Sequence, residues 1–341
     1  MKRFLLVLVV LALIGAGGAE WFIAVWDAPG PSSSEKVVLI APRTPLHQTA
    51  RQLTQAGPVN FTLAFELEMR ERGLASQVKA GEYAIPAHAS MHAIADILVA
   101  GKSIQHKLTA AEGLTSEMIW KLVQADPVLV GDAGPAPEEG ALLPETYLFT
   151  RGMTRAALLN QMAAAQRRFL VEHWPGRDAG LPVADQRQAL ILASIVEKET
   201  ALSDERRHIA QVFVNRLKRG MKLQSDPTII YGLTRGYPLG HGIRQSELNG
   251  ATPYNTYVID GLPPTPIANP GKDAILAVLN PMPGDDLYFV ADGKGKSLFA
   301  ASMAEHAKNV ILFRAAERLN QPIPLDAVQS AAPILPKRGH R

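Results

Sequence analysis

The sequence predicts an α+β protein: an N-terminal membrane anchor, a small α+β subdomain, and a larger mixed α/β domain. Three observations lead there. An apolar run from Phe4 to about Val25 follows Met1-Lys2-Arg3. Short strand and helix patterns then alternate from Lys36 to Lys107. From 108 to about 320, longer helical stripes and loops dense in proline and glycine take over, closing on a glycine-turned hairpin.

Residues 1–27 read as a transmembrane anchor. Only Glu20 breaks the apolar run, and at about 1.5 Å per helical residue it reaches across a bilayer core of about 30 Å. Lys2 and Arg3 hold the N-terminus in the cytoplasm, so the bulk of the chain lies outside it. Trp21 and Trp26 suit the far interface. The alternative is a cleaved signal peptide with Gly17-Gly18-Ala19 as its small-residue site; the run continuing past Ala19 favours the anchor. Residues 28–35, APGPSSSE, read as a linker.

Residues 36–107 form the small α+β subdomain. Lys36–Ile40, Gly81–Ile85 and Gln105–Leu108 read as strands. Helices are predicted within Pro45–Gly57 and Phe61–Gly73, and over Met91–Ala100, capped by Ser90 and stopped by Gly101. In the larger domain, 108–320, Thr115 caps a helix through Met118, Ile119 and Leu122. Leu142–Phe149 is short and partly extended, and Thr154–Trp174 is a long amphipathic helix.

The stretch Ala189–Gly220 organises the rest. Leu190–Val196 is wholly apolar, then stops on Glu197, Lys198, Glu199 and Thr200. A second helix follows, with Ser203 or Asp204 as N-cap, a stripe of Ile209, Val212, Phe213 and Leu217, and Gly220 as its stop. Two helices thus meet at a corner. A carboxyl at the end of a buried helix is partly desolvated, which raises its pKa and keeps a proton available for general acid catalysis. Glu197 and Glu199 point about 200° apart on a helix, so they are not a pair lining one cleft. One is free to face a site while the other caps or pairs with Arg206 or Arg207. Two solvated helix-end charges are the plainer reading.

After Gly220 come loops rich in proline, glycine, amides and tyrosine: Leu223–Thr228, Thr252–Tyr257, Gly261–Pro264 and Ile267–Gly271. Such loops suit a polar, aromatic-lined cleft for a sugar, or are ordinary turns. Asp273–Leu279 and His306–Leu319 read as helices around a hairpin at 287–299. The tail 321–341 is mobile by composition.

Several chemistries drop out. A net charge of +3 gives no reason to expect a nucleic-acid partner. The chain has no cysteine, which removes disulfides, thiolate zinc sites and cysteine nucleophiles. It has no His-Glu-x-x-His and no Gly-x-Ser-x-Gly string. Gly295-Lys296-Ser297 is not a phosphate loop, because Val290 stands where its first glycine belongs. Neither a metal nor a cofactor is expected.

The strings Ala193–Thr200, Val212–Leu217, Leu223–Thr228, Tyr254–Tyr257, Gly261–Pro264 and Tyr288–Gly293 resemble, in order, the motifs of the YceG-like endolytic murein transglycosylases. Lys79–Tyr83 and Glu112–Thr115 extend the resemblance over most of the chain. It implies a single-pass anchor in the inner membrane with the bulk of the chain periplasmic. It also implies a LysM-like subdomain at 36–107 and a catalytic domain at 108–320 that cuts nascent peptidoglycan strands. The catalytic role falls on Glu199, with Glu197 supporting. Gln224, Asp226, Asn255 and Tyr257 are expected to bind and orient sugars. The expected partners are glycan strands, cell-wall synthases and the membrane. Leu143-Pro144-Glu145-Thr146-Tyr147 departs from the family's usual aromatic-Pro-Asp pattern, which leaves the role of Glu145 open. Two alternatives stand beside this reading. One is a two-carboxylate muramidase using Glu199 with Asp226 or Glu145; the other is a non-catalytic wall-binding scaffold.

Overall fold

The computed structural model describes Trp21, residues 24–293 and residues 295–320. Most of the expected anchor, and the tail 321–341, lie outside the described residues. Among the described residues no helix is long and apolar enough to cross a membrane. Two compact units divide the chain. One runs up to Ala110 and includes Trp120–Ala136 and Thr146–Gln161; the other holds Ala111–Ile119, Pro137–Glu145 and Met162 onward.

In the first unit β1 (Lys36–Ile40), α1 (Leu46–Ala56), α2 (Thr62–Glu71), β2 (Gly81–Ile85) and α3 (Met91–Ala100) form where the pattern predicts. β1 pairs antiparallel with β2, Val38 opposite Tyr83. Val38 and Ile40 face the core while Val37 and Leu39 face out, the period-two alternation of a half-buried strand. The Ser90 hydroxyl caps α3 by accepting the Ala93 N–H at 3.1 Å, and Gly101 ends it in the left-handed conformation. Trp26, Leu53, Phe65, Met69, Tyr83, Ile94 and Leu98 make the core. The segment with linker composition is tied to this unit: Gly30 donates to the His88 carbonyl, and the His88 N–H to that of Ser32.

The third strand, β3 (His106–Thr109), stands apart from the β1–β2 sheet. It pairs antiparallel with β4 (Thr146–Phe149). Glu82 of β2 bridges the two ladders, lying 2.7 Å from both His106 Nε2 and Arg151 Nε. Burial pushes its carboxyl up, but these two hydrogen bonds prevail and hold it below the ordinary range. Helices α4 (Ser116–Ala125) and α5 (Arg155–His173) complete the N-terminal half.

The second unit is built on α6 (Gln186–Glu199). Asp185 caps it by accepting the Gln188 N–H at 2.8 Å, and every residue from Ala189 to Val196 is buried. A helix apolar all round must be surrounded. α7 (Ser203–Lys218) and α8 (Asp226–Thr234) pack on it; after the single turn α9 (Gln245–Leu248), so does α10 (Lys272–Leu279). The hairpin of β5 (Tyr288–Ala291) and β6 (Ser297–Ala300) then packs with α11 (Met303–Asn320).

Two local expectations change. The N-cap of α7 is Leu202, with no side-chain cap; Ser203 and Asp204 already lie in the first turn, and Thr200 takes the Leu202 N–H on its hydroxyl at 3.0 Å. The C-terminal signal does hold. Gly220, at φ +65°, closes a Schellman turn in which Met221 N–H reaches the Arg216 carbonyl at 2.8 Å and Gly220 N–H that of Leu217 at 3.1 Å. The second change is α8, which falls where the composition read as loop.

Candidate active site

The corner between α6 and α7 carries the two glutamates, and they diverge as helix geometry requires. Glu197 Oε2 accepts the N–H of Gly271 at 2.9 Å, at the start of α10. There the positive end of that helix favours a negative charge. Its Oε1 lies 3.6 Å from Arg206, which also lies within 3.5 Å of Glu112 and 3.4 Å of Asp273. Glu197 is therefore committed to fastening α6, α7 and α10 together. Burial still pushes its pKa up, against the Gly271 hydrogen bond.

Glu199 turns the other way. Its Oε1 accepts one hydrogen bond, from the Ser225 hydroxyl at 2.5 Å. Burial dominates its titration and lifts its pKa from 4.5 to about 7; the Ser225 bond and the Arg216 charge pull it down, and the Asp226 charge pushes it up. Glu199 also lines a cavity of about 450 Å³ with Glu112, Gly113, Glu197, Lys198, Thr200, Ala201 and Arg206; Gln224, Asp226 and Tyr257 do not line it. Two cavities of similar or larger size, about 530 and 460 Å³, share Arg187 near the start of α6. That is about 18 Å along the helix from Glu199, so size does not locate the chemistry here.

Ser225 owes its position to a buried lattice of hydroxyls. Its N–H donates to Thr256 Oγ1 at 2.9 Å, and Thr228 Oγ1 donates to the Ser225 carbonyl at 2.6 Å. The preceding Gln224 has φ +51°, an uncommon conformation for a side chain of its kind, and its N–H donates to the Thr256 carbonyl at 3.1 Å. Gln224 and Asp226 are exposed on either side of buried Ser225. Tyr257 donates its hydroxyl to Asp226 Oδ1 at 2.7 Å; burial and then this bond raise its pKa. Gln224, Asp226 and Tyr257 thus gather beside Glu199 with groups open to a ligand.

Asn255 does not join them. It is 1 % exposed, and its amide nitrogen lies within 3.2 Å of the carbonyls of Glu247, Leu248 and Gly250 while its oxygen accepts the Tyr257 N–H. The expected sugar ligand is a loop staple that holds Thr256 and Tyr257 in place. Asn269 likewise is fully buried and binds Leu114, Ser116 and Leu142. Replacing Asn255 by alanine removes its bonds to three part-buried carbonyls, of which those of Glu247 and Gly250 keep backbone donors, so it should lower folding stability by about 1–2 kcal/mol. A urea titration checks this; an unchanged midpoint would return Asn255 to the ligand role. Glu145 is ion-paired with Lys272 and does not line the Glu199 cavity.

Sequence reasoning passed over two residues. Ser225 sat unassigned inside a motif string. Arg216 sat unassigned inside the Val212–Leu217 string, yet it is 7 % exposed and donates to the carbonyls of Leu287 at 2.6 Å and Leu223 at 2.8 Å. Its guanidinium also lies 3.3 Å from Gln224 Oε1 and 5.3 Å from the Tyr288 ring. The only signal for it was an arginine continuing the buried stripe of α7.

The model of the YceG-like family matches residues 38–311. The chain is 31 % identical over 356 residues to the endolytic murein transglycosylase of Streptococcus pneumoniae strain D39, covering 89 % of this chain and 63 % of that protein. It is 36 % identical over 172 residues to the endolytic murein transglycosylase of Bacillus subtilis strain 168, covering 50 % of this chain and 47 % of the relative. The alignments thus span less than two thirds of either relative. A crystal structure of a YceG-like protein from Listeria monocytogenes aligns at 26 % identity and a TM-score of 0.49, over 81 % of this chain and 99 % of that one. With the family's model matched over most of its length, this chain belongs to the YceG-like family.

Proposed function

We propose that the chain is an endolytic lytic transglycosylase. It cuts the β-1,4 bond between N-acetylmuramic acid and N-acetylglucosamine in nascent peptidoglycan strands and leaves a 1,6-anhydro end. One observation carries this reading. A single glutamate, Glu199, is held in a desolvated corner with one donor on it, beside exposed Gln224 and Asp226 and half-buried Tyr257. The streptococcal and Bacillus relatives, both endolytic murein transglycosylases, agree with it.

The chemistry follows from that carboxyl. With its pKa near 7, Glu199 holds a proton through much of the neutral range and gives it to the leaving glycosidic oxygen. The bond to C1 breaks and positive charge develops at that carbon. Asp226 supplies negative charge nearby, while Ser225 and Arg216 stabilise the carboxylate that Glu199 has become. That carboxylate takes the proton from the C6 hydroxyl of the muramic sugar as O6 closes on C1. Water is neither consumed nor released. The LysM-like subdomain, residues 36–107, holds glycan, cell-wall synthases supply the strands, and the apolar run that begins at Phe4 anchors the chain in the inner membrane with the bulk periplasmic; Trp26, buried in the core of the first unit, lies outside that anchor.

Because the acid form starts the reaction, activity should fall as pH rises through about 7. Ser225→Ala removes a bond that lowers this pKa. The alkaline limb should move to higher pH while the maximal rate drops about tenfold, the loss of about 1.4 kcal/mol of carboxylate stabilisation. A pH–rate profile of both proteins checks it; an unmoved limb would contradict the role given to Ser225. Asp226 favours one second reading, a two-carboxylate muramidase, since its charge reaches Glu199. Uncrosslinked strands incubated with the full chain in detergent test the function itself. Internal cleavage supports an enzyme; bound but intact strands mean a scaffold.

A further inference from the structure

The larger cavity beside Arg187, about 530 Å³, lies wholly within the second unit. Its volume is that of a small-molecule site. Buried Leu170, Leu190 and Pro266 give it an apolar lining. Charges of both signs share that lining without neutralising each other. Arg187 is exposed, donates from Nη2 to the Pro264 carbonyl at 3.2 Å, and makes no ion pair among the described residues. The Glu138 carboxylate is exposed and has no partner among them. One unpaired surface charge is ordinary. A cation and an anion held apart across one apolar cavity suit a ligand that carries both.

The acidic side of this cavity is firmly built. Glu139, which also lines it, accepts the Ser116 N–H on Oε1 at 2.8 Å and the Tyr231 hydroxyl on Oε2 at 3.0 Å. Tyr231 is buried and meets Tyr254 edge-on, with ring centroids 4.9 Å apart. The Tyr254 hydroxyl lies 2.9 Å from that of Thr265, a further lining residue. Gly140 follows at φ +79°, and a Cβ there would sit 2.6 Å from Pro266 Cγ. Only glycine lets the turn that presents Glu138 and Glu139 press so closely on this wall.

We propose that this cavity binds a short peptide bearing a free ammonium and a free carboxylate. The ammonium lies on Glu138 and Glu139, the carboxylate on Arg187, and the aliphatic part on Leu170, Leu190 and Pro266. The proposal rests on the reading of the chain as a peptidoglycan enzyme, because the muramic sugars of nascent strands carry peptides whose diamino acid supplies both groups. The cavity would then recognise strands by their stem peptides, while Glu199 acts on the sugar.

The test titrates N-acetyl-L-alanyl-γ-D-glutamyl-meso-diaminopimelate into the full chain in detergent and reads the heat. Binding is expected, and Arg187→Gln and Glu138→Gln should each weaken it about tenfold or more, as the loss of a charge-assisted hydrogen bond does. Circular dichroism verifies the fold of both variants. Altered peptides ask the same question of the parent chain. Acetylating the free amine should cost as much as Glu138→Gln and add nothing to it; amidating the carboxylates should add nothing to Arg187→Gln. Cleavage is followed separately, on strands with their peptides and on strands stripped of them by an amidase. Arg187→Gln should raise KM on the first about tenfold with kcat unchanged, and leave the second alone. A peptide that does not bind the parent, or binds both variants as tightly, overturns the site whether or not strands are cut. Peptide held through Arg187 and Glu138 while strands stay intact would instead sink the transglycosylase reading and leave the site standing.

Discussion

Glu199→Gln should lower the rate of strand cleavage by about 10³-fold or more, because one side chain serves as acid in the first half of the reaction and as base in the second. Glutamine keeps an oxygen for the Ser225 hydroxyl but can neither give nor take the proton. The same substitution should make the protein more stable at alkaline pH. The Glu199 pKa is raised on folding, from 4.5 to about 7. The folded state is thus unpenalised below about pH 4.5 and loses stability as pH rises through 7, where the buried carboxyl must ionise. The full loss would be about 3 kcal/mol by pH 8; partial exposure of the residue reduces this to about 1–2 kcal/mol. Thermal melts of the two proteins should therefore diverge at pH 8, with glutamine the more stable, and converge near pH 5. Equal melts at both pH values would mean that Glu199 is not desolvated, and the mechanism would lose its acid.

Arg216→Met should cost about 3 kcal/mol or more of folding stability, among the larger single effects expected in this unit. The side chain is buried, and its planar fork binds carbonyls on two segments, at Leu223 and Leu287, while facing Gln224. Methionine fills the volume and leaves those carbonyls without a donor. Lysine cannot replace the fork either, since it offers a point charge where several directed donors are needed. A fall in the urea midpoint for both variants is expected. Arg216 also pulls the Glu199 pKa down, so the methionine variant should keep its alkaline activity limb at higher pH than the parent. A midpoint unchanged by Arg216→Met would show that these hydrogen bonds carry no net stability.

Much of the fold could be read in advance, because strong patterns set it. The alternation in β1, the Ser90 cap with Gly101, and the wholly apolar stretch of α6 each have one easy structural solution. The divergence of Glu197 from Glu199 needed only helix geometry. What escaped was decided by contacts distant in sequence. In α8, Ser225-Asp226-Pro227 reads as a turn, yet proline in the first turn is also how helices begin. Gly232 within this helix is explained by close packing, since a Cβ at that position would sit 2.9 Å from Thr252 Oγ1. Asn255 shows the same limit. An amide in a loop rich in proline and glycine serves equally as sugar ligand or as loop staple, and only burial separates the two. β3 was recognised as a strand, but its partner β4 lies 37 residues on at the Thr109–Thr146 pair, beyond what local pattern specifies.

The central claim is that Glu199 alone does the work of acid and then base. The most direct test is the mass of the new sugar ends that the full chain makes from uncrosslinked glycan strands, with Glu199→Gln alongside. Ends one water lighter than hydrolysis would give, lost with Glu199→Gln, are the predicted result. Reducing ends carrying the added water would contradict it and turn attention to Asp226 as the second carboxylate of a hydrolase.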